Sequence, residues 1–516
     1  MNGSVLVRGV RVVDLDGSSS AWRELCDVSI SGGVIAAVGP DLASVPGVQE
    51  IDGDGRWAIP GLWDAHVHAG QWVRTARMVD LAGAPDPENV LERLARPLAE
   101  LSERHPTRTL FGFGFRSAGW PRRATVAELD AVTGSRPVVL ISGDAHSGWL
   151  NSAALAMLGK PARTDAVSES EWFVLMPRLD GLPGAAPDPA DFATAVHGLS
   201  AKGVTGLVDF EFADSFVDWP PRLAAGAGPV RVRTAVYPHQ LDRVIAAGLR
   251  TGDPLPGAGG LATMGPLKVI TDGSLGTRTA WTHQPYSDGP ATPEHPCGQA
   301  NYSVAELTDL IRRATAAGLE VALHAIGDRA NAAVLDAFAA GGGRGSVEHV
   351  QLITPEDAER MAALGLRASV QPAHLLDDRD LTDQVWGAER AGRSFPLRTL
   401  ADAGVRLALG SDAPVAELDP WLAMACAVHR SGDERPSWHP EQALTPREAL
   451  AASVDGRRLR PGEPGDLVLL DADPLAPASP REAAYTLRQM QVLVTICAGT
   501  ATHVSGSRFC PRLVTP

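Results

Sequence analysis

Two histidines one residue apart, His66 and His68, follow a short apolar run, and their spacing is the first feature of the sequence that suggests chemistry. Side chains two residues apart on a β-strand point to the same face. Both imidazoles can therefore contact one metal ion, and neutral imidazole is a common ligand of zinc. The segment "GLWDAHVH" (61–68) thus predicts a buried strand that ends at a metal site.

Three more donor residues lie at the ends of other apolar runs. His324 follows "EVAL", His349 follows "SVE", and Asp412 follows "LALGS". A lone histidine at a strand end is more often an ordinary core or surface residue. Parallel barrel strands, however, converge at their C-terminal ends, so these side chains would meet His66 and His68. Four imidazoles and a carboxylate in this pattern predict a zinc site, with other divalent metals as an option.

Lys268 lies inside the apolar run "GPLKVIT", where burial of its charge is costly. One interpretation is a lysine that reaches solvent or pairs with Asp272. In the other, burial depresses the pKa of the amine, which can then capture carbon dioxide as a carbamate and bridge two metals. The spacing alone leaves both interpretations open.

The elements that must position these residues are short apolar runs that alternate with helical segments, which is typical of βα units. Ten runs qualify as strands: 61–68, 109–115, 137–144, 203–210, 230–237, 266–273, 320–328, 346–350, 367–372 and 406–412. A (β/α)8 barrel needs eight. We assign 109–115 and 137–144 to an insertion, since they lie in an unusually long stretch after the first strand.

The two ends of the chain resemble each other, because both contain short alternating strands and turns. We predict an α/β protein in which a small β-sandwich, built from residues 1–58 and 460–516, flanks a metal-dependent TIM-like barrel of residues 59–80 and 201–459. Residues 81–200 form the insertion after strand 1, which we expect to cover the active site. The Pro/Gly-rich segment 160–192 is interpreted as a loop over one face.

Composition narrows the class of partner. The 516 residues include 46 basic and 61 acidic side chains, a net charge of −15, which argues against nucleic acid or an anionic membrane. Five scattered cysteines indicate neither a disulfide framework nor a thiolate zinc site. The first residues lack a signal-peptide pattern, and no apolar run reaches the ~20 residues that span a bilayer. We therefore expect a cytoplasmic protein.

Other residues are weaker candidates for substrate binding. His146 and Trp149 lie in "DAHSGWLNSAAL", which is either a pocket wall or the start of a helix capped by Asn151 or Ser152. Gln371 and His374 follow the seventh barrel strand, where barrel geometry directs them to the site. Trp120 and Trp281 suggest an apolar or aromatic group on the substrate, although tryptophan is also an ordinary core residue.

Six motifs in this order carry a family resemblance: "IPGLWDAHVH", "GPLKVITDGSLGTRTA", "HAIGDRAN", "VEHVQ", "SVQPAH" and "LGSDAPV". The chain resembles the amidohydrolase superfamily, and within it the amidohydrolase-3, YtcJ-like branch that includes N-substituted formamide deformylases. The resemblance covers almost the whole chain.

The resemblance implies a role for each matching residue. His66 and His68 would bind one metal and His324 and His349 the other, with Lys268 as a carboxylated bridge. Asp412 would be a metal-bound proton shuttle. The resemblance also places His146, in "DAHSGWLNS", near the substrate, and Asp272 and Arg278 of the second motif are further candidate substrate contacts.

The sequence therefore predicts a hydrolase of carbon–nitrogen bonds, acting on an amide or N-substituted formamide with one or two zinc ions. A mononuclear zinc deaminase or an ester hydrolase on the same barrel is the enzymatic alternative. A non-catalytic binding protein that retains the fold is the alternative from another class. The expected partner is a small amide-type molecule, with a homodimer as one option for the assembly.

Overall fold

The computed structural model describes residues 3–17, 24–105, 107–115, 117, 120–143, 147–289 and 293–513. It divides into two compact units. One unit combines Met1–Ala69 with Val196–Pro516, and the other is Gly70–Ala195. Among the described residues, no helix combines the length and the apolar character that a membrane span requires.

The larger unit contains the predicted barrel. Its parallel strands follow one another in chain order from strand 1 to strand 8. In that order they are Leu62–Val67, Val204–Asp209, Arg231–Val236, Ala262–Ile270, Val321–Ala325, Gly345–His349, Arg367–Val370 and Arg406–Leu409. A parallel bridge between Val67 and Ala413 brings the end of strand 8 back to strand 1. The predicted eight-stranded barrel is confirmed.

Helices separate the barrel strands, as right-handed βα units require. Several begin at a capping box; Ser303 and Glu306, for example, satisfy each other's backbone N–H groups. The helices of this unit are Ser215–Ala224, Leu241–Ala246, Val304–Ala316, Asp328–Gly341, Pro355–Ala363, Leu375–Ala391, Leu397–Asp402, Pro420–His429, Pro446–Ala452 and Pro480–Arg488.

The two ends of the chain form one nine-stranded sheet. Its strands are Val5–Val12, Cys26–Ser31, Val34–Gly39, Gln49–Asp52, Trp57–Pro60, Leu467–Leu470, Val492–Cys497, Thr500–Val504 and Arg512–Leu513. Val5–Val12 joins two layers, since its first half pairs with Cys26–Ser31 and its last residues pair with Trp57–Pro60. Side chains from both ends of the chain, such as Val7 and Leu469, meet in one apolar core.

The second unit has its own five-stranded sheet, which contains the two runs assigned to an insertion. Its strands are Val79–Asp80, Leu110–Phe115, Val138–Ser142, Ser147–Leu150 and Val167–Ser168. Its helices are Ala69–Ala76, Pro87–Arg104, Val126–Thr133, Ser152–Met157, Glu169–Leu175 and Pro189–Ala201, of which the first and last extend across the boundary.

The prediction that 160–192 is a loop was wrong. The segment contains a short strand, the helix Glu169–Leu175 and a 3-10 helix over Met176–Gly181. Trp172 is fully buried and packs with Leu175 and Leu179 in one apolar cluster. Burial of these few large side chains stabilises helical turns that are too short to show a periodic pattern.

A partly buried ion pair joins the terminal β domain to the base of the barrel. The Arg231 guanidinium, on barrel strand 3, donates to both carboxylate oxygens of Asp466 at 2.5 and 3.0 Å. Asp466 also accepts the backbone N–H of Ala498 at 2.8 Å. Removal of one partner would leave the other charge buried without compensation.

We therefore expect Arg231→Met to lower the free energy of unfolding by about 3 kcal/mol, measured from urea denaturation. Arg313→Met is the control, since Arg313 pairs with the exposed Asp242, and it should cost at most about 1 kcal/mol. Equal effects of the two substitutions would contradict a structural role for the Arg231–Asp466 pair.

Candidate metal centre

Three predicted ligands meet at the C-terminal end of the barrel. His66, His349 and Asp412 each offer one ligand atom, and these atoms all lie within 4.8 Å of one another. His68 joins them, because its Nε2 is 3.3 Å from Asp412 Oδ1, and His66 Nε2 is 3.5 Å from the same oxygen. The structure thus brings together His66 and Asp412, which are more than 300 positions apart in the chain.

The seam between barrel strands 1 and 8 holds this arrangement. Asp412 N–H donates to His66 O at 2.7 Å, and His68 N–H donates to Ala413 O at 2.9 Å. Asp64 accepts the N–H groups of His66 and Ser411, both at 3.0 Å. Burial raises the pKa of Asp64 to about 6. This carboxylate therefore ties the backbone of one ligand to the strand end that carries another.

His324 and Lys268 lie beside the first group. The ring centroids of His324 and His349 are 4.5 Å apart. Lys268 is buried, and its Nζ has no hydrogen-bond partner among the described residues. The ammonium lies 4.5 Å from the centre of the Phe210 ring. Burial lowers the pKa of Lys268 to about 8, although the charges of Glu348 and Asp412 oppose the shift.

Two side chains orient the imidazoles. His66 Nδ1 lies 2.8 Å from Glu348 Oε2, and His349 Nδ1 lies 2.9 Å from Gln371 Oε1. Both oxygens are acceptors, so each Nδ1 carries the proton and each Nε2 keeps a free lone pair. Such outer partners are the usual way to fix the tautomer of a metal-binding histidine.

The imidazoles of His66, His324 and His349 are neutral at neutral pH. Burial first, and then the charge of Lys268, lowers the pKa of His324 to about 4. Burial also lowers the pKa values of His66 and His349 well below the usual range. Neutral imidazole is the form that binds a divalent metal.

Asp412 lies in a turn, where Val415 N–H donates to Asp412 O at 2.9 Å. Its φ of 57° is left-handed, as is the φ of 74° at His349, and such conformations cost energy unless the surroundings impose them. Burial opposes ionisation, but the neighbouring imidazoles, His66 first, hold the pKa of Asp412 below its usual range. Asp419, not Asp412, caps the following helix, by accepting Trp421 N–H at 2.9 Å.

Asp272 and Arg278 have partners within the protein. The Asp272 carboxylate is fully buried and accepts the N–H groups of Trp281, Ile326 and Gly327 at 2.8 to 3.1 Å. It therefore does not pair with Lys268, and burial raises its pKa to about 7. Arg278 forms an ion pair with Asp288. These contacts indicate that Asp272 holds the loop after strand 4 against the end of strand 5.

His374 lies on the other side of Asp412. Its Nε2 is 3.2 Å from Ser411 O and 3.9 Å from Asp412 Oδ2. Its ring stacks on that of His349, with the centroids 6.5 Å apart. His374 is thus next to the ligands, whereas Gln371 contacts a ligand directly.

The predicted contacts in the insertion belong to the second unit. Trp149 is fully buried and donates to Thr125 O, while Trp120 donates to Ala84 O; both pack in the core of that unit. Asn151 caps the helix Ser152–Met157 by accepting Ala154 N–H. His146 lies outside the described residues. That the insertion covers the site and that His146, Trp149 and Trp120 bind substrate stay predictions.

Four residues near the ligands escaped the sequence analysis. Asp64 and Glu348 orient His66, and period two along strand 1 already places Asp64 on the same face as His66. Phe212 is 51% exposed and stacks on His68 with ring centroids 5.4 Å apart. Val415, in the turn after Asp412, is 64% exposed. The Phe212 ring therefore lies against one candidate ligand, and Val415 follows another candidate ligand in the chain.

Comparison with known proteins places the chain in a family. Residues 49–503 match the model of the "Amidohydrolase family". "Putative amidohydrolase YtcJ" of Bacillus subtilis is 27% identical over 87% of this chain and 91% of that protein. "N-substituted formamide deformylase" of Arthrobacter pascens is 28% identical over 97% of this chain and 98% of that protein.

A solved structure agrees with these matches. An uncharacterized metal-dependent hydrolase from Pyrococcus horikoshii superposes with a TM-score of 0.74 at 26% identity, over 92% of this chain and 99% of the other. The chain belongs to the amidohydrolase family and is a metal-dependent hydrolase.

Proposed function

We propose that the chain hydrolyses the carbon–nitrogen bond of a small amide or N-substituted formamide, with one or two zinc ions. The observation that carries the proposal is the convergence of His66, His349 and Asp412 beside a buried lysine amine without a partner. The name of the Arthrobacter pascens relative, a formamide deformylase, supports the substrate class.

The donor set fits such ions. The imidazoles of His66, His68, His324 and His349 and the carboxylate of Asp412 are the ligand types that zinc prefers. The orphaned Nζ of Lys268 supports a bridging role, because a neutral amine can add carbon dioxide to form a carbamate, with loss of one proton. A bound ion would lower the pKa of a water from about 15.7 towards about 7 and polarise the carbonyl.

Asp412 is the proposed proton carrier. Its low pKa keeps the carboxylate ionised at neutral pH, so it can accept a proton from the attacking water. It then passes that proton to the leaving nitrogen, which is otherwise a poor leaving group. Glu348 and Gln371 keep His66 and His349 in the required tautomer throughout.

The exposed side chains of Phe212 and Val415 favour a substrate with an apolar substituent. Both residues belong to segments that are hydrogen-bonded to the end of strand 1. The segment of Phe212 is joined to it by the bond from Phe210 N–H to Val67 O, and the segment of Val415 by the bond from His68 N–H to Ala413 O. Phe212 also stacks on Tyr237, whose hydroxyl donates to Phe210 O. This support makes Phe212 a firm wall for an apolar group.

The first prediction concerns the metal. Protein grown with zinc should retain it and hydrolyse members of a panel of N-acyl and N-formyl amines. His66→Ala should abolish both zinc binding, measured by elemental analysis, and hydrolysis, measured by amine release. His503→Ala, in the terminal β domain, is the control and should change neither. Less than about a tenth of an equivalent of metal in the parent would contradict the site, since sites of this composition hold zinc tightly.

The second prediction concerns the lysine bridge. Lys268→Ala should lose metal and activity together, and a short-chain carboxylic acid with bicarbonate should restore part of both. Lys202→Ala, which removes a surface lysine paired with Glu417, is the matched control. An unmodified ammonium at Lys268 in a structure that holds both metals, obtained with carbon dioxide present, would exclude the bridge.

The third prediction separates proton transfer from structure. Asp412→Asn keeps the size and one ligand oxygen, so metal content should stay nearly full while kcat falls by roughly 10²–10⁴. Asp419→Asn is the control. Asp419, seven positions after Asp412, caps the helix Pro420–His429 and has no contact with the candidate ligands among the described residues. Activity of the Asp412 variant close to that of the parent would exclude the shuttle role.

A further inference from the structure

A cavity of about 450 Å³ occupies the lower half of the barrel, at the opposite end from the metal centre. We call it the lower shaft. Four strands present small side chains to it: Ala65, Ser346, Ser369 and Ala408. Barrel interiors are usually filled by bulky branched residues at such positions. The shaft therefore results from small inward-facing residues, and its volume suits a small molecule.

The inner end of the shaft is polar and acidic. Glu348, only 1% exposed, accepts hydrogen bonds from Ser346 Oγ and from His66 Nδ1. The Ser369 hydroxyl, on a residue that is 3% exposed, has no hydrogen-bond partner in the described part of the chain. A carboxylate has about four acceptor sites, so Glu348 retains capacity for another donor. This end favours a group that donates hydrogen bonds and carries positive charge.

The rim of the shaft carries three guanidinium groups, each of which forms an ion pair. Arg233, Arg367 and Arg457 line it together with the carboxylates of Asp455 and Glu320. Asp455 is held by Arg233 and is also 3.8 Å from Arg457 Nε, Arg367 is 3.4 Å from Glu320, and Arg457 is 3.5 Å from Glu463 outside the lining. A guanidinium has five N–H donors, so Arg367 and Arg457 can still bind a carboxylate.

We propose that the lower shaft binds a small zwitterion, an ω-amino acid of a few carbon atoms. Its ammonium lies at Glu348 and Ser369, and its carboxylate lies at Arg367 and Arg457. The methylene chain packs against the apolar wall between the two ends, which is formed by Val208, Phe210, Pro266 and Ala408. Both charges and the intervening wall thus match one class of ligand.

The ligand would also act on the metal centre, through a step that rests on the proposed function. Glu348 lines the shaft with the same carboxylate that holds His66 Nδ1. An ammonium that binds Glu348 weakens its hold on His66, and outer partners of this kind affect metal affinity by 10–100-fold. Because coupling between two sites is reciprocal, the metal should change affinity for the zwitterion by the same factor.

The binding test is calorimetry on the metal-free full-length protein. The ligands are ω-amino acids of three to six carbons, each compared with the carboxylic acid and the amine of the same length. At least one amino acid should bind about tenfold tighter than both matched compounds, which corresponds to one lost charged contact. Equal binding of the acid, or no binding by any compound, would overturn the proposal and leave a solvent-filled shaft.

Two variants locate the site. Arg367→Gln removes a rim charge without touching the interior, and Ser369→Leu fills the inner end; each should raise Kd at least about tenfold. Arg406→Gln is the matched control, since Arg406 starts the neighbouring strand 8, bonds to Gly365 O, and is not part of the lining. Binding that survives both substitutions lies elsewhere and would overturn the proposal.

The coupling test measures zinc affinity by chelator competition, with and without the amino acid that binds best. A several-fold weakening supports the coupling, and an unchanged affinity would overturn it. Failure of the protein to bind zinc at all would count against the proposed function instead. The calorimetry does not depend on metal, so the two failures are distinguishable.

Discussion

The seam where barrel strand 8 meets strand 1 is the constraint on which the site depends. Neither strand alone can form the candidate site, because His66 and His68 follow one strand and Asp412 follows the other. The three side chains can bind one ion together only when the two backbones are in register. Asp64 sets that register by accepting the N–H groups of His66 and Ser411. The fit is close: a Cβ at Gly410 would lie 2.7 Å from His66 N, so only glycine permits the approach. Closure of the barrel and assembly of the centre are therefore one event.

Burial determines the chemistry of the centre. It keeps the imidazoles of His66, His324 and His349 neutral, and it lowers the pKa of Lys268 to about 8, so that this amine loses its proton more readily than an exposed lysine does. In the described part of the chain, Lys268 Nζ and His68 Nδ1 have no hydrogen-bond partner, and buried polar atoms of this kind are costly. Glu348 and Gln371 remove this cost for His66 and His349 and in doing so direct each Nε2 to the same point. A metal-dependent hydrolase needs this combination of neutral donors and fixed direction.

The two ends of the barrel have different roles, as in other barrel enzymes, where the C-terminal end carries the active site and the N-terminal end contributes to stability. The C-terminal end carries the ligands on residues with strained backbone, His349 and Asp412, which the surrounding hydrogen bonds hold in place. The N-terminal end is anchored to the terminal β domain by the Arg231–Asp466 pair. Glu348 is the residue that connects them, since it faces the lower shaft and holds a ligand of the metal centre.

The sequence by itself determined the order of the eight strands and the candidate ligands, because an apolar run must be buried and period two fixes which of its side chains share a face. It also predicted an insertion after strand 1 and a β domain shared by both ends. It could not show that Asp64 and Glu348 orient His66, that Asp419 rather than Asp412 is the helix cap, or that Trp149 and Trp172 fill the core of the insertion. Those outcomes depend on partners distant in the chain. Local spacing sets the direction of a side chain, whereas its partner is decided only when the barrel closes.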